Sequence, residues 1–382
     1  MIEKFSPSNR LLLGSFISSF GSFCFLLAQL TVFESDGLSL FNIGIFIAVT
    51  RGVSLLVMYG VTKTIDSVNE RTFLILTELA CLICSVILFF LWPKYFENFN
   101  FYVAIAAIRS GLIGIQSGGR NKMLKAIGGD SDTANTNLAI WLNKASHGSI
   151  FFAAATVFTL ATKVDFRWFI LIDGISFLLN AYIVWTISLT KRNKLVTSIS
   201  SLEVILRYFQ NHRYEAILDL VLALNFSGLM VFTARASKGS PLLFPLMSLT
   251  YGGTVWLSGW IYKRWNKILS TTVSWFLISV GFCTISIFHE NRIILLISYF
   301  FVCMGYWYIF HHVTACLQKN AGHDVLAGVM TARNLTMLTV IVLGEFLMGL
   351  VFHGLSMTDE GILRGAFALL ALGVFRWVKK ES

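Results

Sequence analysis

The chain has 382 residues, of which 56% are hydrophobic and 13% charged, with a formal net charge of +10 and a mean hydropathy of +0.72. Soluble domains carry roughly a quarter of their residues as Asp, Glu, Lys and Arg, so a water-soluble protein of this length is excluded and lipid is the solvent. The basic residues are scattered in small groups rather than one patch, which removes the nucleic-acid reading of a basic chain.

Apolar runs between charged or turn-rich breaks predict spans near 11–33, 38–62, 72–92, 99–119, 136–161 and 167–189, then 214–236, 241–262, 268–288, 292–317, 328–353 and 357–376. The run from Leu11 to Phe33 is too long for a signal peptide and has no small-residue cleavage site, so it reads as the first span. With both termini cytoplasmic, the inner segments hold nineteen Lys and Arg, Arg120, Lys122 and Lys125 among them, and the outer ones six. That bias orients the chain. Cys24, Cys81, Cys84, Cys283, Cys303 and Cys316 all fall in apolar segments, so Cys81-x-x-Cys84 reads as helix packing, and no metal, disulfide or cofactor is expected.

The expected architecture is an all-α integral membrane protein of twelve transmembrane helices. Two six-helix bundles, 1–189 and 214–382, are joined by a polar, basic cytoplasmic linker, 190–213. In that linker Leu202, Ile205, Leu206 and Phe209 recur near helical spacing, which predicts either a short helix on the inner membrane face or a solvated connection.

Between the second and third spans, Gly60-Val-Thr-Lys63-Thr-Ile-Asp66-Ser-Val-Asn-Glu70-Arg71 resembles a degraded form of the major facilitator loop motif. There, glycine permits close helix approach and the acidic and basic groups latch two halves. Gly259-Trp-Ile-Tyr-Lys263-Arg264 is the matching loop of the second half, without the aspartate. Arg109 resembles the family's buried arginine of span four. Thr133-Ala-Asn135-Thr-Asn137 and Ile172-Asp173-Gly-Ile-Ser176-Phe177-Leu-Leu-Asn180 resemble the macrolide-efflux and enterobactin-exporter branch. The resemblance implies two pseudo-symmetric bundles, alternating access, export and a monomer. The family's antiporter signature of span five is not carried, since His147-Gly148 lacks the proline.

Ionisable groups inside spans cost about 2.5–3.5 kcal/mol each at a helix centre and so mark a pathway or a partner. Arg51, Arg109 and Lys144, with His147 one turn beyond, would make the first-half wall basic and suit an anionic group. For Arg109 a structural role weighs equally, and for Lys144 snorkelling to the interface does. Ser15, Ser18, Ser22 and Gln29 share one face of span one, the serines for close packing and Gln29 for a ligand. Asp219 and Asn225, with Met304, Trp307, Tyr308 and His311, would supply a partly aromatic second-half wall for a bulky amphipathic compound, unless the aromatics are interfacial. Asp219, Glu345 and Glu78 are the candidates for proton coupling. Gly60, Asp66, Arg71 and Arg333 are the gating candidates, with Arg333 facing Asp66 across the halves.

These readings predict a secondary transporter exporting a small amphipathic compound with an anionic group, a drug, siderophore or modified peptide, with protons as the coupling partner. Uptake by the same fold is the alternative. A membrane-embedded enzyme is remote, because no acid, base or ligand cluster adjoins His311-His312.

Overall fold

A computed structural model describes residues 5–36, 38–95, 97–128, 132–161, 163–188, 201–227, 229–236, 243–265, 270–320, 326–351 and 355–381. Among them there are fourteen α-helices and no strand. They form two compact units, one of Met1–Val32 with Val49–Ser200 and one of Phe33–Ala48 with Ser201–Ser382.

The first unit contains most of α1 (Pro7–Ser35), the larger part of α2 (Leu40–Ser67), α3 (Glu70–Leu91), α4 (Phe99–Gly128), α5 (Asp132–Leu160) and α6 (Arg167–Trp185). Asn69 starts α3, its side chain accepting from the backbone N–H of Arg71 and Thr72, as an N-cap must. α3 packs between α4 and α6. α1 lies on α6 where Gly21 removes a side chain: a Cβ there would come within 3.1 Å of the Asp173 backbone and closer still to Ser176. Small residues let two helix backbones approach in lipid, where dispersion rather than water expulsion drives packing.

The polarity of this unit runs opposite to that of a soluble bundle. On α6 Asp173, Ser176 and Asn180 are buried, whereas Leu171, Ile175, Leu178, Leu179 and Tyr182 are exposed. On α3 Glu78 is buried and Leu76, Ile83 and Phe90 are exposed. Such faces are stable only against hydrocarbon. Seven helices are, among the described residues, long and apolar enough to cross a bilayer: α1 to α4, α6, α11 and α12.

The second unit contains α7 (Ser201–Asn211), α8 (Arg213–Phe226), α9 (Leu229–Ala236), α10 (Leu243–Trp265), α11 (Thr271–Phe288), α12 (Arg292–Asn320), α13 (Leu326–Val351) and α14 (Met357–Glu381). α11 packs on α12 and α14, α10 on α12, and α8 on α13. Trp275, Phe282, Phe232 and Val302 lie in the core.

One expectation needs correction. The single span expected over 214–236 is divided: Ser227 turns to ψ 133°, which ends the helical ladder of α8, and α9 begins two residues later. The α7 segment is helical, with Tyr208 buried, Ile205 and Phe209 packed against the second core, and Leu206 exposed.

Candidate functional site

The polar stripe of α1 is the spine of the first unit's interior. Ser18 Oγ donates to Glu78 Oε2 (3.3 Å), Ser22 Oγ to Asp173 Oδ1 (3.3 Å) and Gln29 Nε2 to the Tyr102 hydroxyl (2.8 Å). The Ser15 hydroxyl is buried without a hydrogen-bond partner. Gln29, expected to reach a ligand, is fully buried on Tyr102.

Two ion pairs stand on this spine. Arg109 of α4 grips Asp173 of α6 with both arms, Nε to Oδ2 at 2.8 Å and Nη2 to Oδ1 at 2.6 Å. Ser85 of α3 adds a third donor to Asp173 at 2.7 Å, and the Phe25 ring covers the guanidinium at 4.3 Å. Three turns further along α4, Arg120 meets Glu78 of α3 at 3.1 Å, and Asn180 of α6 donates to the same carboxylate. Gln116 accepts from Arg120 at 3.2 Å. Charges in hydrocarbon persist only when so paired and hydrogen-bonded.

This geometry corrects the picture of a basic first-half wall. Asp173 neutralises Arg109; Lys144 is exposed and lies 5.1 Å from the Trp141 ring centroid, the snorkelling arrangement. Arg51 is half-buried on α2, and the side chains of His147, Asp66 and Glu345 lie outside the described residues. Arg120, counted among cytoplasmic residues, is inside because α4 continues to Gly128. Arg109 and Arg120 are eleven residues apart, three turns on one helix face, and that spacing was the signal for the second pair.

The loop motif also serves the first unit. Arg71 donates to the Trp185 carbonyl at the end of α6, and Lys122 holds the Val68 carbonyl at 2.8 Å. Arg71 thus ties the start of α3 to the end of α6. Around Gly60 a Cβ would meet nothing within 4 Å among the described residues.

In the second unit Arg333 of α13 binds Asp219 of α8, Nε to Oδ2 at 2.7 Å and Nη2 to Oδ1 at 3.0 Å, with both side chains fully buried. Arg333 also donates to Thr314 at 2.6 Å and lies over the Phe310 ring at 4.2 Å. Tyr208 of α7 donates to Asp219 Oδ2 at 2.7 Å. Burial first, and the Asp219 carboxylate second, hold the Tyr208 phenol above its ordinary range. Arg333 is therefore paired with Asp219 within its own unit, and the Asp66 side chain of the expected gate lies outside the described residues.

The aromatic residues of α12 are buried against α10 instead of standing at an interface. Trp307 packs on Tyr251 with ring centroids 5.4 Å apart, Tyr308 on Tyr262 at 5.3 Å, and His311 Nε2 lies 3.4 Å from the Val255 carbonyl oxygen. Asn225 stands at the end of α8, 2% exposed. Beside it is a cluster sequence reasoning left unassembled: Arg364 and Glu360 of α14 with Arg235 of α9.

No family model matches the sequence, and no curated relative does. Solved structures do match, along nearly the whole chain. A D-xylose-proton symporter is 11% identical over 96% of each chain, with a TM-score of 0.75. A POT family transporter in complex with a thioalcohol-conjugated peptide is 12% identical over 98% of this chain and 96% of its own, with a TM-score of 0.73. The nucleoside transporter NupG is 13% identical over 96% and 99%, with a TM-score of 0.68. At 11–13% identity the likeness is one of fold: this chain is folded like these transporters.

Proposed function

We propose that the chain is a secondary active transporter, a monomer of twelve spans in two six-helix halves that exposes its substrate alternately to the two membrane faces. The observation that carries this is the whole-length likeness to transporters of sugar, nucleoside and peptide, with 96% or more of each chain covered. The seven apolar helices and the inverted polarity of α3 and α6 support a multi-pass membrane location; a bacterial inner membrane fits the short loops. The spans beyond those seven include the one divided into α8 and α9, neither part of which is long enough alone.

Export of a small amphipathic compound is the favoured direction, on the resemblance of residues 133–137 and 172–180 to the efflux branch. With Arg109 neutralised by Asp173 and Lys144 exposed beside Trp141, the support for an anionic group weakens, and the substrate class broadens to amphipathic compounds generally. Asp219 and Glu78 support proton coupling because each is a buried carboxylate held by a single arginine. Protonating it would release that arginine, which is how a proton changes helix contacts. Uptake is the second reading, favoured by the proton symporter among the neighbours.

The test is accumulation of labelled compounds, an anionic siderophore and a neutral macrolide among them, in cells expressing wild type, Asp219→Asn or Arg51→Ala, with and without a protonophore. Lower accumulation with wild type, abolished by the protonophore and by Asp219→Asn, is the expected result. Higher accumulation would establish uptake, and no difference for any compound would remove the functional reading.

A further inference from the structure

The interruption between α8 and α9 leaves backbone carbonyls without helical partners in the interior of a membrane protein, where each needs a donor or a cation. One side chain serves them. Arg364 of α14, 3% exposed, donates from Nη1 to the carbonyl oxygens of Asn225 (3.1 Å) and Ser227 (2.9 Å). Its Nε and Nη2 grip Glu360 Oε1 at 3.1 and 3.0 Å. The other oxygen of Glu360 takes Arg235 Nη1 at 3.1 Å, and Arg235 also donates to the Leu355 carbonyl.

Two guanidinium groups thus share the Glu360 carboxylate, and the Phe232 and Phe282 ring centroids lie 5.3 and 5.7 Å from the Arg364 guanidinium carbon. The carbonyl dipoles at the end of α8, the negative pole of the helix, favour a cation there. A second sign of a cation position is the Asn225 side-chain oxygen, which is buried and has no hydrogen-bond donor. The Asn225 and Ser227 carbonyls meet at Arg364 Nη1, and carbonyls freed at a broken membrane helix are the donor type that elsewhere holds an alkali ion.

We propose that Arg364 is a tethered cation occupying this position, a positioning residue that fixes the bend between α8 and α9 and makes the helix break independent of sodium. Asn225 Oδ1 is then an acceptor at the break, without a donor among the described residues, that a substrate hydroxyl or N–H could use. The consequence for coupling rests on the transporter reading; the structural claim does not.

The experiment is hydrogen exchange of peptides covering 221–236 in the full-length protein in lipid nanodiscs, in sodium chloride and in choline chloride at equal ionic strength. Wild type should exchange identically in both. Arg364→Ala should exchange roughly tenfold faster or more at the break, because a charged donor to two carbonyls is lost. Millimolar guanidinium, far below denaturing levels, should restore protection, and sodium should protect this variant in part. Arg364→Lys, which keeps the charge without the planar fork, should fall between wild type and Ala.

Sodium protection of the wild type would overturn the proposal, as would unchanged exchange in Arg364→Ala, or faster exchange that guanidinium does not reverse. If Arg364→Ala fails to fold, the Lys variant and the wild-type comparison decide: Lys exchanging as wild type in both salts would refute the need for the guanidinium fork. Failure of every transport assay with this exchange pattern intact would remove the transporter reading alone.

Discussion

Replacing Asp173 by Ala would leave Arg109 charged and buried between α3, α4 and α6. The carboxylate receives two bonds from the guanidinium, at 2.6 and 2.8 Å, and one each from Ser85 and Ser22. Breaking a buried pair by removing one partner costs about 3–5 kcal/mol, because the survivor keeps its desolvation penalty without compensation. At about 1.4 kcal/mol per tenfold, that is a factor of roughly 10² to a few times 10³ in the opening equilibrium. Arg109→Ala should cost a similar amount. Arg109→Met combined with Asp173→Leu should cost less than either single change, since a buried pair exchanged for apolar groups is often nearly neutral. The buried thiols of Cys24, Cys81 and Cys84 give the assay: they line this region, the Cys81 sulfur lying 4.0 Å from the Arg109 carbonyl oxygen, and react with a thiol dye only when the bundle opens. Labelling rates of purified protein against temperature would rank the variants. Strictly additive single and double effects would refute the reasoning, because additivity means the two side chains do not interact.

Gly21→Ala places a methyl against Ser176 and the Asp173 backbone and should lower stability by about 1–3 kcal/mol in the same assay. Gly60→Ala, in open space, should leave it unchanged. Tyr208→Phe removes the α7 donor to Asp219 and should loosen α7 by about 1–3 kcal/mol, read as faster hydrogen exchange across Ser201–Asn211. Because burial and Asp219 raise the phenol pKa in the folded state, the hydroxyl's contribution should be constant below the ordinary tyrosine range, about pH 10, and fall only above it. Transport lost in Arg333→Asp should return in part with Asp219→Arg and not with Asp66→Arg, measured as substrate flux; rescue by Asp66→Arg would restore the gate between halves.

The sequence by itself determined the solvent and the class of fold. Low charge and apolar blocks of bilayer length require helices in lipid, and the apolar runs between charged or turn-rich breaks located most helices within a few residues. It also marked Ser18, Ser22 and Gln29 as one face of α1 and singled out Arg109, Asp219, Asn225 and Arg333; the structure buries all of these but Ser22, which is half-buried. What it could not supply was partners. Asp173 lies 64 residues from Arg109, and Asp219 114 residues from Arg333, so which carboxylate meets which arginine depends on how helices pack, and no local pattern encodes that. Tertiary structure alone turned a basic wall into neutral pairs, drew Arg120 inside on the continuation of α4, and placed Arg364 of α14 on the end of α8. The physical reason is common to all three. In a medium without water a charge must find its complement within the protein, and only the assembled helices decide which complement is within reach.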